Sequence, residues 1–340
     1  MQRSRKTFFV SAGVAVAAIS VVLASYGIFR HSATAHASPV PDIFAALPAG
    51  APTLAYVDLG AIRASSFYQH RPDKGPIALP SQDYADFVRS TGFDFEKDLE
   101  RVVIASWPPD SPNAPRKSVA IAEGHFDRAK IRDYATRKGK VDHQQGHEVF
   151  LFPAGDSKTM NSITFLDDRR IALVAGSSIA PLLASHMDAA GGDPVRDRAA
   201  HLDGAAAFLI THVPPIPDNA AGAGPQAAGA AQFLTLARSV QWVTFAARPE
   251  GDNLRVSLEG ECDNATDAVQ VKTALELMRM FGRAGLDSAK NKQSMDPAVL
   301  AMLQTLLTGA EVTQAAERVR ILVEVTPDVW HLGGPAKAQQ

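Results

Sequence analysis

The sequence predicts an α+β fold of two tandem related units, each a mostly antiparallel sheet with helices packed on one face. The first observation is a pattern found once in each half of the chain: an apolar strand, an acidic or amide residue that can cap a helix, and a helix. It occurs at 117–138, where Asp127 is the cap, and at 254–281, where Asp263 and Asn264 precede the helix. The second observation is that the joints between neighbouring strands are short, which favours antiparallel pairing because a parallel crossover needs a dozen or more residues.

The amino terminus contains a candidate membrane segment. Residues 7–29 are uncharged and mostly apolar, and they follow Arg3, Arg5 and Lys6. A helix of that length crosses the hydrocarbon core of a bilayer. Because the positive flank stays in the cytoplasm, the rest of the chain is predicted to lie outside a bacterial inner membrane, in the periplasm.

The sequence leaves open whether this segment is retained. Ala35-His36-Ala37 followed by Ser38 fits the small-x-small pattern of a cleavage site. Residues 1–37 are therefore a signal anchor or a signal peptide, and residues 38–52 are a tether and lead-in. Cleavage after Ala37 would make the protein secreted.

Unit 1 is predicted over 53–190. Continuous β-branched residues make 102–107 a buried central strand, and Gly92 is placed to end the helix before it. A tight polar turn at 167–169 joins two strands. The predicted elements are strands at 54–59, 102–107, 118–126, 148–152, 162–166 and 170–174, a polar loop at 63–80, helices at 81–91, 127–138 and 177–187, and a helical turn at 93–99.

Unit 2 is predicted over 204–332, after a charged boundary segment at 188–203 and before a disordered tail at 333–340. Its main helix has apolar residues at 268, 271, 274, 275, 278 and 281, close to a 3.6-residue period. The other predicted elements are strands at 206–213, 240–247, 254–262, 311–317 and 318–326, a Pro/Ala/Gly-rich loop at 214–229, helices through 233–236 and over 297–307, and a turn at 327–331.

Alternation within the strands of unit 2 separates an apolar face from a polar one. Leu254, Val256 and Leu258 lie on one side of their strand, and Arg255 and Glu259 lie on the other. We expect helices to cover the apolar side. The polar side either faces solvent, binds a ligand or contacts the other half, and the candidate binding surface consists of Trp107, Arg255, Glu259, Arg318 and Arg320.

Composition and motifs limit the chemistry. The 34 basic and 36 acidic side chains give a net charge of -2, so no nucleic-acid partner is expected. Cys262 is the one cysteine, which excludes an intramolecular disulfide and favours a buried, inert thiol. His143 and His147 are four residues apart, as a metal-binding helix would place them, but Gly139 and Gly146 favour a hairpin.

Other catalytic and binding patterns are incomplete. Ser177 and Ser178 follow a strand but lack the second glycine of a nucleophile elbow, because Ala180 stands there. The match of 222–227 to G-x-G-x-x-A lies in a low-complexity loop rather than at a strand-to-helix turn. We predict no catalytic residues, no metal and no cofactor.

Three segments carry a resemblance to a group of known proteins. LPAGAPTLAYVDLGAIRAS, TGFDFEKDLERVVIA and AIAEGHFDRAKIRDYA occur in succession. This succession resembles uncharacterised bacterial exported and envelope proteins that have an amino-terminal apolar segment and duplicated α+β units. The resemblance covers about 45–190 and implies an envelope setting, without any activity or catalytic residue.

The sequence therefore favours a non-enzymatic, membrane-tethered or exported binding protein of the bacterial envelope. Its polar sheet face and its loops at 63–80 and 214–229 would contact a protein, a peptide or another envelope component. Two alternatives stay open. One is a carrier or chaperone for an apolar ligand, held between sheet and helices, and the other is a hydrolase whose site is assembled from distant residues.

Overall fold

The computed structural model describes residues 42–71, 82–109, 111, 117–153, 160–176, 178–183, 192–214, 237–291 and 297–331. These residues fall into two compact units, unit 1 within Met1–Ala64 and Asp73–Ala207 and unit 2 within Ser65–Pro72 and Phe208–Gln340. None of the helices in the described ranges is long and apolar enough to cross a membrane. The predicted anchor at 7–29, the cleavage site after Ala37 and the tail at 333–340 lie outside these ranges.

The described helices are, in chain order, α1 (Leu59–Ala64), α2 (Ser66–Gln69), α3 (Gln82–Thr91), α4 (Phe95–Asp98), α5 (Arg128–Lys138), α6 (Ala180–Leu183), α7 (Pro194–Ala200), α8 (Ala265–Asn291) and α9 (Pro297–Gly309). Short 3-10 helices lie at Asp42–Ala46 and Pro327–His331. Both α8 and α9 belong to unit 2.

Unit 1 contains an antiparallel sheet. Its strands are β1 (Thr53–Asp58), β2 (Leu99–Trp107), β3 (Lys117–Gly124), β4 (Lys140–Gln144), β5 (His147–Pro153), β6 (Met160–Phe165) and β7 (Arg170–Ala175). They lie in the order β1-β2-β3-β7-β6-β5-β4. The prediction of a buried central strand at 102–107 is confirmed, since β2 lies between β1 and β3 and Val103 is fully buried.

Both faces of this sheet are covered, where helices on one face were expected. On one face, Val102 and Phe150 pack with Ile131 and Ala135 of α5. On the other, Tyr56 packs against Phe44 of the first 3-10 helix, with ring centroids 5.3 Å apart. The lead-in thus forms part of the core because its apolar side chains are buried.

Three predictions for unit 1 and its borders need correction. The segment 63–80 was expected to be a polar loop, yet it contains the end of α1 and all of α2, in which Phe67 and Tyr68 are buried. Helix α7 lies in the expected boundary segment 188–203 and packs into unit 1 through Val195 and Ala199. Strand β4 was not predicted.

Unit 2 contains five of the described strands. Its strands are β8 (Ala207–His212), β9 (Val240–Glu250), β10 (Asn253–Cys262), β11 (Glu311–Ala315) and β12 (Arg318–Val325). They lie in the order β8-β9-β10-β12-β11, with antiparallel pairing from β9 to β11. The predicted loop at 214–229 lies almost wholly outside the described residues, as do residues 233–236.

Helix α8 begins as the sequence predicts. Asn264 Oδ1 accepts a hydrogen bond from Asp267 N at 3.0 Å, and Asn264 Nδ2 donates to Asp267 Oδ2 at 2.9 Å. A cap of this kind satisfies a backbone N–H that the first turn leaves unpaired. The first half of α8 then packs on the sheet, where Ala268 is buried against Cys262 and Val319.

The second half of α8 packs against α9. Leu286 of α8 and Leu300 of α9 are buried. A Cβ atom added at Gly282 would lie 3.1 Å from Cδ1 of Leu307, so the glycine allows a close approach of the two helices. Arg283 Nη2 donates to Leu307 O at 2.9 Å and to Thr308 O at 3.1 Å, which satisfies carbonyls at the end of α9.

Candidate functional site

Three of the predicted surface residues form one ion-pair cluster on the polar face of unit 2. Glu259 on β10 lies opposite Arg320 on β12, and Glu261 lies opposite Arg318. The Arg320 Nε to Glu259 Oε2 distance is 2.9 Å, and Arg318 lies 3.5 Å from both Glu259 Oε1 and Glu261 Oε2. We call Glu259, Glu261, Arg318 and Arg320 the charged row.

The charged row is internally satisfied. The Glu259 side chain is 17% exposed, while that of Arg320 is 56% exposed, so the carboxylate lies beneath its arginine partners. Arg255 makes a separate pair with Glu250 at 2.9 Å. Opposite charges in register on neighbouring strands stabilise a sheet modestly. A ligand for these side chains would have to compete with pairs that already exist, and their role in binding stays a prediction.

Trp107 belongs to unit 1 and is not a member of the charged row. It lies at the end of β2, opposite Lys117 of β3, and is half-buried. A tryptophan in this place can pack over the end of the sheet or contact a partner, and the placement does not favour one role over the other.

The two candidate metal-binding histidines lie in a hairpin. Gln145 and Gly146 have φ values of 49° and 84° and join β4 to β5, as a two-residue primed turn requires. His143 pairs with Glu148, and Gln144 pairs with His147. Side chains alternate along each strand, so His143 and His147 project from opposite faces and are not placed to share one ion. Within the described ranges, no three His, Cys, Asp or Glu side chains come close enough to hold a metal.

A charged cluster in unit 1 was missed by the sequence analysis. Asp58, Arg101, Glu123 and Arg170 lie opposite one another across β1, β2, β3 and β7. Arg101 Nε lies 3.4 Å from Asp58 Oδ2, and Arg101 Nη1 lies 3.5 Å from Glu123 Oε2. Asp58 Oδ1 also accepts from Ala61 N at 2.7 Å in the first turn of α1. The cluster therefore ties strands and a helix together.

Two buried groups, the Tyr56 hydroxyl and the Cys262 thiol, have raised pKa values. Burial, followed by the charge of Asp58, raises the pKa of the Tyr56 hydroxyl far above its ordinary range. Burial likewise raises the pKa of the Cys262 thiol. A thiol that is 3% exposed and held neutral is a poor nucleophile, in line with its predicted inert state.

Helix α8 carries an apolar surface that the sequence analysis did not anticipate. Among large apolar side chains in the described ranges, five on this helix are well exposed. Their exposed fractions are Val269 51%, Leu277 47%, Met278 44%, Met280 54% and Phe281 65%. We call these five residues the apolar stripe.

The apolar stripe corrects the predicted orientation of α8. Residues 278 and 281 were expected on the buried face with 268 and 271. At 3.6 residues per turn, Met278 is rotated by about 80° and Phe281 by about 140° from the buried Ala268. The buried side instead continues through Gly282 and Leu286, and Met278 and Phe281 turn towards solvent.

Four charged side chains of α8 are already paired within unit 2. Lys272 and Glu276 pair at 3.7 Å along one flank. Arg279 and Arg283 donate to the carbonyls of Ala310 and Leu307, so both guanidinium groups are directed to the end of α9. A partner of this surface would therefore be recognised by apolar contact.

The apolar face of β10 is also incompletely covered. Leu258 is 42% exposed, although helices were expected to cover that side. Its neighbours across the sheet, Phe245 and Ile321, are half-buried. Among the described residues, unit 2 exposes more large apolar side chains than unit 1, where Leu173 is 37% exposed.

Comparison with known proteins adds little. No protein-family model matches the chain, and no curated protein matches it. Solved structures of TP0453 are similar to it at a low level. Crystal form III gives a TM-score of 0.48 at 10% identity, covering 87% of this chain and 98% of that chain. Crystal form IV gives 0.45 at 9% identity, covering 86% and 94%. Likeness at this level carries no argument about function.

Proposed function

We propose that this chain is a non-enzymatic binding protein of the bacterial envelope, tethered to the inner membrane by residues 7–29 and exposed to the periplasm. Unit 2 supplies the contact surface, and the apolar stripe of α8 is its centre. The observation that carries the proposal is the exposure of five large apolar side chains on one helix. The contact surface differs from the one the sequence suggested, because the polar side chains of the charged row bond to one another.

The apolar stripe needs an explanation because exposed apolar surface is costly in water. Single exposed leucines are ordinary, but four large apolar side chains are exposed within positions 277–281, and clustered apolar exposure of this kind is typical of interaction sites. Methionine and phenylalanine are also enriched where proteins contact partners. A helix that is apolar on its packed side and again on its solvent side has more apolar surface than its own unit covers.

We also infer that the two units arose from one ancestral unit. Supporting this, the first three strands and the last two strands of each unit follow the same order, and a capped helix follows the third strand in both. Unit 1 then has the additional hairpin β4–β5 at its sheet edge. On this interpretation, the apolar stripe is a specialisation of unit 2.

A second candidate function is a carrier for an apolar ligand. The observation that favours it is Leu258, which leaves part of the apolar sheet face open. Native mass spectrometry of the purified chain distinguishes it, because a carrier retains a lipid-sized ligand and a surface contact does not. The hydrolase alternative has no specific observation in its favour.

Thiol footprinting in native membranes tests the proposal. The full chain is expressed with Phe281→Cys or, as a matched control in the same unit, Thr313→Cys on the exposed polar side of β11. Each maleimide reaction rate is divided by the rate in the urea-unfolded chain. Both variants also carry Cys262→Ala, because Cys262 is buried in the folded chain but would react in urea.

We expect the thiol at position 281 to react much more slowly than the thiol at 313, although Phe281 is 65% exposed in the isolated chain. Equal normalised rates would mean that nothing covers the apolar stripe. The contact surface proposed for unit 2 would then be wrong.

A further inference from the structure

We infer that the apolar stripe lies in the interfacial region of a phospholipid bilayer, with α8 parallel to the membrane surface. This inference rests on the proposed function, because it names the occupant of that contact surface. The ligand class is the acyl chain and glycerol region of ordinary phospholipid, and no particular headgroup is required.

The length and charge of α8 favour lying on a membrane over crossing it. The helix has 27 residues, or about 40 Å at 1.5 Å per residue. It carries seven charged residues, namely Asp267, Lys272, Glu276, Arg279, Arg283, Asp287 and Lys290, and no helix in the described ranges qualifies as a membrane span. A helix whose exposed side is apolar, and which carries this many charges, is suited to the membrane interface.

The size of the apolar stripe disfavours a second copy of the chain as the occupant. A large aromatic side chain offers roughly 200 Å², so five side chains at about half exposure offer at most about 500 Å². A stable protein interface buries about 800 Å² on each partner. A membrane has no such threshold, because the tether already holds the protein there.

The tether brings the protein within reach of a bilayer. The predicted anchor ends at Phe29, and Ile43 is already 1% exposed in the core of unit 1. The intervening 13 residues span at most about 45 Å when fully extended. Confinement by the tether raises the effective concentration of lipid around the whole chain, so weak insertion is enough.

The electrostatics of α8 fit a lipid contact. Arg279 and Arg283 are occupied by carbonyls at the end of α9, and Lys272 pairs with Glu276 at the flank. These four side chains are therefore paired, and none of them has to enter the membrane as an unpaired charge. We therefore expect the contact to form on zwitterionic phosphatidylcholine and to depend little on salt, since apolar burial drives it.

Depth-dependent fluorescence quenching tests the inference. The full chain carrying Phe281→Cys is labelled with an environment-sensitive fluorophore and reconstituted into phosphatidylcholine vesicles, with or without nitroxide-labelled lipid. Thr313→Cys is the matched control. A second probe at Leu277→Cys, with circular dichroism as a check on folding, covers the case that the label at 281 disturbs the helix.

We expect the labels at 281 and 277 to emit at shorter wavelength and to be quenched by nitroxide lipid, while the label at 313 is unaffected. Adding Phe281→Asp to the Leu277→Cys chain should reduce the quenching, because a carboxylate is disfavoured below the headgroups.

Other results would contradict the lipid contact, point to a different occupant of the apolar stripe, or contradict the tether. Chains that float with the vesicles but show no quenching at 277 and 281 overturn the lipid contact. If thiols at 281 are nevertheless protected in native membranes, the occupant is a protein and the proposed function stands. Disulfide formation between introduced thiols at position 281 would assign the surface to a second copy. A full-length chain that does not float with the vesicles would contradict the tether itself.

Discussion

Asp167 is an example of a polar side chain that hydrogen-bonds to the backbone of neighbouring residues. Its Oδ1 accepts hydrogen bonds from the backbone N–H groups of Arg169 and Arg170, each at 2.8 Å, and its Oδ2 accepts from Arg170 Nε at 2.6 Å. Burial acts to raise the pKa of this carboxyl, but the hydrogen bonds to Arg169 and Arg170 prevail and lower it below the ordinary value of 3.8. The residue closes the turn between β6 and β7, as the sequence predicts.

Because the pKa of Asp167 is lowered in the folded protein, the stability of unit 1 should decrease at acidic pH. A carboxyl whose pKa is lower when folded stabilises the protein above its unfolded value of 3.8 and loses that contribution as the pH falls through the folded value. Asp167→Asn should therefore be most destabilising near pH 7 and progressively less so below pH 4, as measured by urea unfolding across that range. The adjacent exposed Asp168→Asn should cost less at pH 7, and a pH-independent effect of Asp167→Asn would contradict the account.

Helix caps can be predicted from neighbouring residues in the sequence, but ion pairs between strands cannot. Asp127 and Asn264 were expected to cap helices, and both do, because a cap depends only on residues two or three positions later. Asp58, Arg101 and Glu123 form a cluster through strand register. Register is set by pairing of segments far apart in sequence, so no local pattern identified the cluster.

At the scale of elements, the strands β10 and β12 are joined by the charged row in addition to their backbone ladder. Glu259 and Arg320 form its closest contact, with two hydrogen bonds to Glu259 Oε2 at 2.9 and 2.5 Å. Half-exposed pairs of this kind contribute little individually, because solvent screens them. The charged row is therefore expected to support the sheet and not to hold a ligand.

A double-mutant cycle measures this role. Glu259→Gln, Arg320→Gln and the double variant should give a coupling energy of about 0.5 to 1 kcal/mol in denaturant unfolding. Glu259 and Arg255 lie four residues apart on one strand, roughly 13 Å, so the control cycle between them should be additive. Equal coupling in both cycles would show that the effect is not due to the pair.

Most elements were predictable from periodicity, and the orientation of α8 was not. Alternation identified β10 and β12, and the cap and the 3.6-residue pattern identified α8. The apolar stripe escaped because α8 is apolar on more than one side, so its pattern fits two orientations. Packing against α9 through Gly282 and Leu286 decides between them, and that contact is tertiary.

At the scale of the whole molecule, the two units differ in how completely they cover their apolar surface. Unit 1 buries both faces of its sheet, including Val103, Ile121 and Phe150 at 0% exposure. Unit 2 leaves the apolar stripe and Leu258 exposed. The fold class was accessible from sequence because strand and helix patterns are local. The apolar stripe was not, because it is the apolar surface that remains exposed after tertiary packing is complete.

Oxidative footprinting of the unaltered full chain in its native membrane can show whether unit 2 makes contact through α8 or through its polar sheet face. Met278 and Met280, 44% and 54% exposed, are natural reporters of the apolar stripe because methionine oxidises readily to the sulfoxide. Trp242, which lies opposite Glu261 on the polar face, reports the alternative surface. We expect both methionines to oxidise more slowly in the membrane than in urea, and by a larger factor than their partial exposure alone would give. The oxidation rate of Trp242 should fall only by the factor that its own partial exposure gives. Rapid oxidation of Met278 and Met280 together with strong protection of Trp242 would contradict contact through α8.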